Sequence, residues 1–131
     1  MTRVLDALAL MAYLEKEPGF EKVKDLLTKA ADSEKGLLMT TVNFGEVCYI
    51  LRRDYGVDES EKIIRLIETF PIEFIDIDLK LAHNAAVFKA EKKLPFVDCF
   101  AAALAKLRKA ELVTADKDFK AVEGEVKILW L

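Results

Sequence analysis

The chain has 131 residues, the length of a single domain, and 53% of them are apolar, which is enough for a sizeable core. Its formal net charge is −3, so no global basic field attracts nucleic acid, and such a partner would need a local patch or a metal. No uncharged run approaches the roughly 20 residues that span a bilayer. Charges at Asp6 and Glu15 interrupt the first apolar stretch, unlike a secretory signal. We therefore expect one domain, residues 1–131, located in the cytoplasm.

Short apolar runs alternate with helical patterns along the whole chain. Five strands are predicted, at residues 3–5, 37–40, 73–77, 112–114 and 126–130. Helices are predicted at residues 7 to about 16, 20–31, 42–54, 58–70, 79–92 and 97–109, with a short helical turn near Phe119. Strands separated by helices are typical of a parallel sheet that is covered on both faces. In such sheets, ligand sites form at the carboxyl ends of the strands.

Four acidic residues stand in or beside apolar runs, namely Asp6, Glu46, Asp98 and Asp116. A carboxylate is rarely placed in such surroundings unless something compensates for its desolvation. Asp6 and Asp116 each come just after a predicted strand, which places both at the same edge of the sheet. Each could instead be a helix N-cap, and for Asp6 capping and function stay equally open.

Glu46 lies in a predicted helix beside an apolar stripe. Its neighbours at i−4, i+3 and i+4 are Val42, Tyr49 and Ile50. A structural glutamate is expected on the opposite, polar face, so this position favours a functional role. Asn43, one turn earlier on the same side, could orient the Glu46 carboxylate.

Asp98 opens a predicted helix in which the residues at i+3, i+4 and i+7 are all alanine. Such small side chains leave room for a ligand or for another structural element. Among the other polar residues, Asp118 is either a fifth acid of the site or a surface residue. Lys92 and Lys93 lie shortly before Asp98 and are the best candidates for contacting phosphate, although runs of charge are usually solvated faces.

Four carboxylates gathered in one pocket would repel one another strongly. Two charges about 5 Å apart at an effective dielectric near 20 repel by roughly 3 kcal/mol. A domain has a net stability of only about 5–15 kcal/mol, so the pocket must take up protons or bind divalent cations. Oxygen ligands without His or Cys suit Mg²⁺ or Mn²⁺, which can activate water against a phosphodiester. The pattern therefore indicates phosphoryl chemistry on an anionic substrate.

In their order and context, the four acids resemble those of the PIN-domain family, most closely the VapC-like toxins of VapBC toxin–antitoxin systems. Each motif is weak alone, but the set in this order is specific. The resemblance covers essentially the whole chain and rests on residues 4–6 (VLD), 41–46 (TVNFGE), 94–105 (LPFVDCFAAALA) and 112–119 (LVTADKDF).

The resemblance implies a three-layer α/β/α fold, with a central parallel sheet of about five short strands. It implies a Mg²⁺- or Mn²⁺-dependent endoribonuclease that cleaves single-stranded RNA and is masked by a cognate antitoxin protein. Homodimers are also usual in this family. Asp6 and Asp98 would contact the metal most directly, whereas Glu46 and Asp116 would bind it through water or orient the attacking water. Thr114 would position an acid or a ligand through its hydroxyl group.

One position departs from the family pattern, because Ala7 stands where Ser or Thr often follows the first aspartate. The missing hydroxyl bears on catalytic rate more than on metal binding. A receiver-like phosphoacceptor domain would need adjacent acids after the first strand. A haloacid-dehalogenase phosphatase would need a second aspartate where this chain has Leu8. The alternative that stays open is a PIN-fold module that binds RNA or a protein partner without cutting.

Overall fold

A five-stranded parallel sheet forms the centre of the computed structural model, which describes residues 1–33 and 36–131. Its strands are β1 (Arg3–Leu5), β2 (Leu37–Thr40), β3 (Ile72–Ile75), β4 (Glu111–Thr114) and β5 (Ile128–Trp130). The helices are α1 (Ala7–Leu14), α2 (Phe20–Ala31), α3 (Thr41–Ile67), α4 (Leu79–Glu91) and α5 (Phe96–Arg108), with a 3₁₀ helix at Lys117–Val122. No helix within the described ranges is both long and apolar enough to cross a membrane.

Two hydrophobic cores lie on opposite faces of the sheet, because successive strand residues point to opposite sides. In β1, Val4 packs with α4, α5 and the 3₁₀ helix, whereas Leu5 packs with α1, α2 and α3. The same alternation holds in β4, where Leu112 and Val113 belong to different cores. The predicted three-layer α/β/α fold is therefore confirmed.

The strand order β3-β2-β1-β4-β5 places β1 at the centre of the sheet. The chain leaves β1 toward β2 and β3 on one side, then returns to β4 and β5 on the other. The order thus reverses between β1 and β4, and such a switch point opens a crevice beyond the carboxyl ends of the strands. Asp6 follows β1 and Asp116 follows β4 shortly after its end, so both acids lie at this crevice.

Several element boundaries differ from the sequence prediction. The strand predicted at 73–77 ends at Ile75, because its partner β2 ends at Thr40, where α3 begins, and offers nothing further to pair with. The strand predicted at 126–130 starts at Ile128, because the amide of Val126 is used in a turn with the Val122 carbonyl.

The two helices predicted at 42–54 and 58–70 form one helical segment, α3, that is interrupted at a single residue. Gly56 adopts φ 79° and ψ −175°, a conformation that is essentially restricted to glycine. The predicted break is therefore present, but it is a kink at one glycine and not a loop. The first half of α3 carries Asn43 and Glu46 toward the crevice.

Candidate active site

Asp6 is both a helix cap and a member of the crevice. Its Oδ1 accepts a hydrogen bond of 2.8 Å from the Ala9 amide at the start of α1. The residue is only 2% exposed, and its other carboxylate oxygen faces β4. The capping role that the sequence allowed for Asp6 is therefore present, and, as expected, it is compatible with a place at the crevice.

The Thr114 hydroxyl ties two of the acids together. The parallel register pairs Leu5 with Val113, so the next residues, Asp6 and Thr114, are neighbours across the β1–β4 junction. Thr114 Oγ1 donates a hydrogen bond to Asp6 Oδ2 and accepts one of 2.9 Å from the Asp116 amide. Thr114 therefore supplies Asp6 with a hydroxyl group, whereas the adjacent Ala7 has none.

Glu46 reaches the crevice from α3, on the face of the sheet that holds α1 and α2. The apolar stripe that the sequence suggested is not the buried face of this helix, because Tyr49 is 62% exposed. The buried face instead contains Asn43, Val47 and Leu51. Glu46 lies at the edge of that face and is half-buried.

The predicted interaction between Asn43 and Glu46 is replaced by another. The Asn43 side chain accepts a hydrogen bond from the Thr40 hydroxyl and donates one of 3.2 Å to the Val97 carbonyl. Asn43 therefore contacts the residue before Asp98 and not the Glu46 carboxylate.

Asp98 enters from the opposite face of the sheet, in the first turn of α5. The alanines that follow it are buried against the core, with Ala101, Ala102 and Ala103 fully inaccessible. Of the two possibilities left by the sequence, these small side chains accommodate another structural element. They let α5 approach the sheet closely, which brings Asp98 to the crevice.

The four acids share one electrostatic field. Burial, together with the charges of Asp116 and Glu46, raises the pKa of Asp6 to about 7, although hydrogen bonds from Thr114 and Ala9 lower it. Burial and then the charges of the other acids raise the pKa of Asp98 to about 7. Burial and the charge of Asp116 raise the pKa of Glu46.

Asp118 lies at the rim of the crevice. It is exposed, and of the acids that raise the pKa of Asp98 it contributes least.

No basic side chain within the described ranges neutralises these acids. The ion pairs between described residues all lie elsewhere, on surface helices and at the amino-terminal edge of the sheet. A carboxylate cluster with raised pKa values and oxygen donors alone fits Mg²⁺ or Mn²⁺. Within residues 1–33 and 36–131, however, no three His, Cys, Asp or Glu side chains are already placed to hold a metal ion. Water would have to complete the coordination, as is usual for Mg²⁺.

Of the two lysines predicted to contact phosphate, Lys92 is paired with an acid outside the crevice. Lys92 Nζ is 3.3 Å from a Glu125 carboxylate oxygen, and Lys106 also contacts this carboxylate, at 2.8 Å. Glu125 lines a cleft with Met1 and other residues at the amino ends of β1 and β4, opposite the crevice. Lys93 is exposed, and a role for either lysine stays a prediction.

We expect Thr114→Val to destabilise the protein by about 1–3 kcal/mol at pH 8, because a buried ionised Asp6 loses a charge-assisted hydrogen bond. At pH 5 the loss should be smaller, since Asp6 is protonated below its pKa of about 7. Urea unfolding at both pH values measures the difference. Thr69→Val is the matched control, because its hydroxyl also donates a hydrogen bond but in an exposed position. Equal losses at both pH values would contradict the assigned contact.

A sequence profile of the PIN domain matches residues 3–125, which includes all four acids. This chain belongs to the PIN domain family. The match extends over nearly the whole chain, and it confirms the family resemblance that the four acid motifs suggested. No curated protein sequence is similar enough to match this PIN domain.

Solved structures share the fold of this PIN domain at low sequence identity. VapBC2 from Rickettsia felis, bound to a promoter DNA fragment, gives a TM-score of 0.80 at 16% identity, covering 98% of both chains. DNA-bound VapBC from Salmonella typhimurium gives 0.77 at 15% identity, covering 98% of this chain and 97% of the other. Mycobacterium tuberculosis VapC20, described as a sarcin–ricin loop cleaving toxin, gives 0.73 at 18% identity, covering 95% and 97%. The VapC-like PIN fold is therefore shown.

One residue of the site of this PIN domain was missed by sequence reasoning. Thr40 ends β2, is fully buried and caps α3 by accepting a hydrogen bond of 3.0 Å from the Asn43 amide. Its signal is a threonine between a predicted strand and a predicted helix, which is a common N-cap pattern. Thr40 and Thr114 end the two strands that flank β1, and each holds one side of the crevice.

Proposed function

We propose that this PIN domain is a Mg²⁺- or Mn²⁺-dependent endoribonuclease that cleaves single-stranded RNA, as the toxin of a toxin–antitoxin pair. The observation that carries the proposal is the meeting of four acids from four separate elements at the switch point of the sheet. The pKa values of Asp6, Glu46 and Asp98 are all raised, and no basic partner within the described ranges offsets the charge of the four acids. Such a pocket is costly for folding unless a cation or protons compensate it.

The residues of the crevice would divide the work by their surroundings. Asp6 is held by two hydrogen bonds, and each oxygen keeps a lone pair for a metal. Asp98 accepts no hydrogen bond from any described residue, so its carboxylate would be the second direct ligand. Glu46 and Asp116 would bind metal-held water or orient the attacking water. When bound, a divalent cation supplies an activated water and stabilises the leaving oxygen.

The proposed partner is a cognate antitoxin protein that masks the crevice. Support comes from the solved neighbours, several of which are toxin–antitoxin complexes, including one from Klebsiella pneumoniae. A basic antitoxin segment would complement the unpaired acids of the crevice. The homodimer and the cytoplasmic location stay predictions.

A second candidate function is a PIN-fold module that binds RNA or a protein without cutting. Two observations favour it, namely the lack of three preplaced metal ligands in the described part of the chain and the alanine at position 7. The hydroxyl that Thr114 places on Asp6 weakens the second of these.

Incubation with single-stranded RNA, followed by sequencing of the cut ends, tests the nuclease. We expect cleavage with Mg²⁺ or Mn²⁺, loss of cleavage in excess EDTA, and no cleavage of DNA of the same sequence. Asp6→Asn, purified in parallel, controls for a contaminating ribonuclease. Cleavage that persists in this variant or in EDTA would overturn the proposal, and binding without cleavage would favour the second candidate.

A further inference from the structure

We infer that Asn43 is a positioning residue whose side-chain amide holds Asp98 at its distance from Glu46 and thereby sets the affinity of the crevice for a divalent cation. The effect on cation affinity rests on the proposed function. The effect on Asp98 itself rests on the hydrogen bonds of Asn43 alone.

The contacts of Asn43 connect three elements at the carboxyl edge of the sheet. Its side chain is fully buried. It accepts a hydrogen bond from the Thr40 hydroxyl at the end of β2 and donates a hydrogen bond of 3.2 Å to the Val97 carbonyl in α5. The backbone amide of Asn43 donates a hydrogen bond of 3.0 Å to Thr40 Oγ1. The amide oxygen and nitrogen thus both have partners, and the orientation of the group is determined by them.

The Asn43–Val97 hydrogen bond joins helices that lie on opposite faces of the sheet. α3 packs with the core on one face and α5 with the core on the other. Glu46 lies one turn after Asn43 on α3, and Asp98 directly follows Val97 on α5. The Asn43 amide therefore links the two backbone segments that carry these acids at the edge of the sheet.

Within the described residues, no hydrogen bond or ion pair holds the Asp98 side chain itself, whereas the Asp6 side chain accepts two hydrogen bonds. Repulsion from the other acids acts on Asp98 and favours its displacement from the crevice. The hydrogen bond from Asn43 to the Val97 carbonyl would oppose this displacement, because it fixes the backbone segment that carries Asp98. Groups that orient metal ligands typically change metal affinity by about 10–100-fold when they are removed.

The test uses Asn43→Ser and Asn43→Thr, which retain a hydroxyl near Thr40 but are too short to reach the Val97 carbonyl. Asn84→Ala is the matched control, because Asn84 is the other asparagine of the chain and also donates to a helix carbonyl, Lys80 O, at 2.8 Å in α4. Circular dichroism first establishes that each variant is folded. Manganese binding is then measured by electron paramagnetic resonance, with MnCl₂ as the only added ion.

We expect the Mn²⁺ dissociation constant to rise at least about tenfold in both Asn43 variants and to stay unchanged in Asn84→Ala. Without metal, the carboxyl-carbon NMR resonance of Asp98 should shift in the Asn43 variants, because its surroundings change. That resonance reports on positioning whether or not the protein binds a cation.

Different outcomes separate the two proposals. An unchanged Asp98 resonance in folded Asn43 variants would overturn the positioning role, even if the parent protein cleaves RNA. If the resonance shifts in the Asn43 variants but the parent protein neither binds Mn²⁺ nor cleaves RNA, the positioning role stands. The nuclease activity and the effect on cation affinity are then rejected. Loss of the fold in both Asn43 variants would also overturn the inference, since a purely structural role would then suffice.

Discussion

Replacement of Asp98 by asparagine should reduce RNA cleavage by at least about 100-fold, while the fold stays intact. Removal of an outer-shell partner alone typically costs about 10–100-fold, and Asp98 is proposed to contact the metal directly. The amide has nearly the same shape as the carboxylate, so the packing of α5 should not change. Cleavage rates at saturating Mn²⁺, together with circular dichroism spectra, measure both parts.

In the absence of metal at pH 8, the Asp98→Asn variant should be more stable than the parent protein. The carboxylate of Asp98 is ionised above its pKa of about 7 and is repelled by the other acids, whereas an amide carries no charge. Asp25→Asn is the matched control, because this acid lies on α2 and pairs with Lys29 at the surface. It should retain full activity. Equal activity of Asp98→Asn and the parent protein would sink the assignment of the site.

The second large effect concerns pH and metal together. Asp6 and Asp98 have pKa values of about 7 in the folded protein, against an ordinary value of 3.8. Between these values the folded state binds more protons than the unfolded chain. The free energy of unfolding must therefore fall as the pH rises from about 4 to about 7, and it levels off above that range. A tenfold difference in proton affinity between the folded and unfolded states corresponds to about 1.4 kcal/mol.

Without metal, the melting temperature should accordingly drop by at least about 5 °C between pH 5 and pH 8, since 1 kcal/mol corresponds to roughly 2–8 °C. Millimolar Mn²⁺ should remove most of this drop at pH 8, because an ion at 100 times its dissociation constant adds about 2.7 kcal/mol. At pH 5 the protonated acids bind metal weakly, and the gain should be small. Thermal scans at both pH values, with and without Mn²⁺, provide the measurement.

The variant Asp6→Asn/Asp98→Asn serves as the control for this experiment. It lacks both of the groups with a pKa near 7, so its melting temperature should depend little on pH over this range and little on Mn²⁺. A parent protein that is equally stable at pH 5 and pH 8, or that gains nothing from Mn²⁺ at pH 8, would contradict a shared acidic site.

Most of the fold could be predicted from local sequence patterns. The bounds of β1, β2 and α2 were predicted without error, because apolar runs and helical periodicity there agree with the tertiary environment. The ends of β3 and β5 were wrong because they depend on where a partner strand stops and where a turn uses an amide. The sequence of one strand does not show where its partner strand ends or which amides are used in a turn.

The candidate site was recognised from its residue types, but its organisation was not. From acids in apolar surroundings and in the family order, the sequence predicted a site made of Asp6, Glu46, Asp98 and Asp116, and their catalytic roles stay a prediction. The partners of Asn43 could not be found in this way, since Val97 is 54 residues away and reached only across the sheet. The apolar stripe beside Glu46 was misread for the same reason, because helical spacing does not tell which face a neighbouring element covers.

The sequence by itself determined the alternation of strands and helices, the family, and which carboxylates need compensation, because these follow from the order and chemistry of neighbouring residues. Only the tertiary structure decided that β1 lies between β2 and β4 and that Thr114 touches Asp6. It alone decided that Asn43 reaches the backbone beside Asp98 from the other helix layer. These contacts join residues far apart in the chain, and strand order and helix packing create them together.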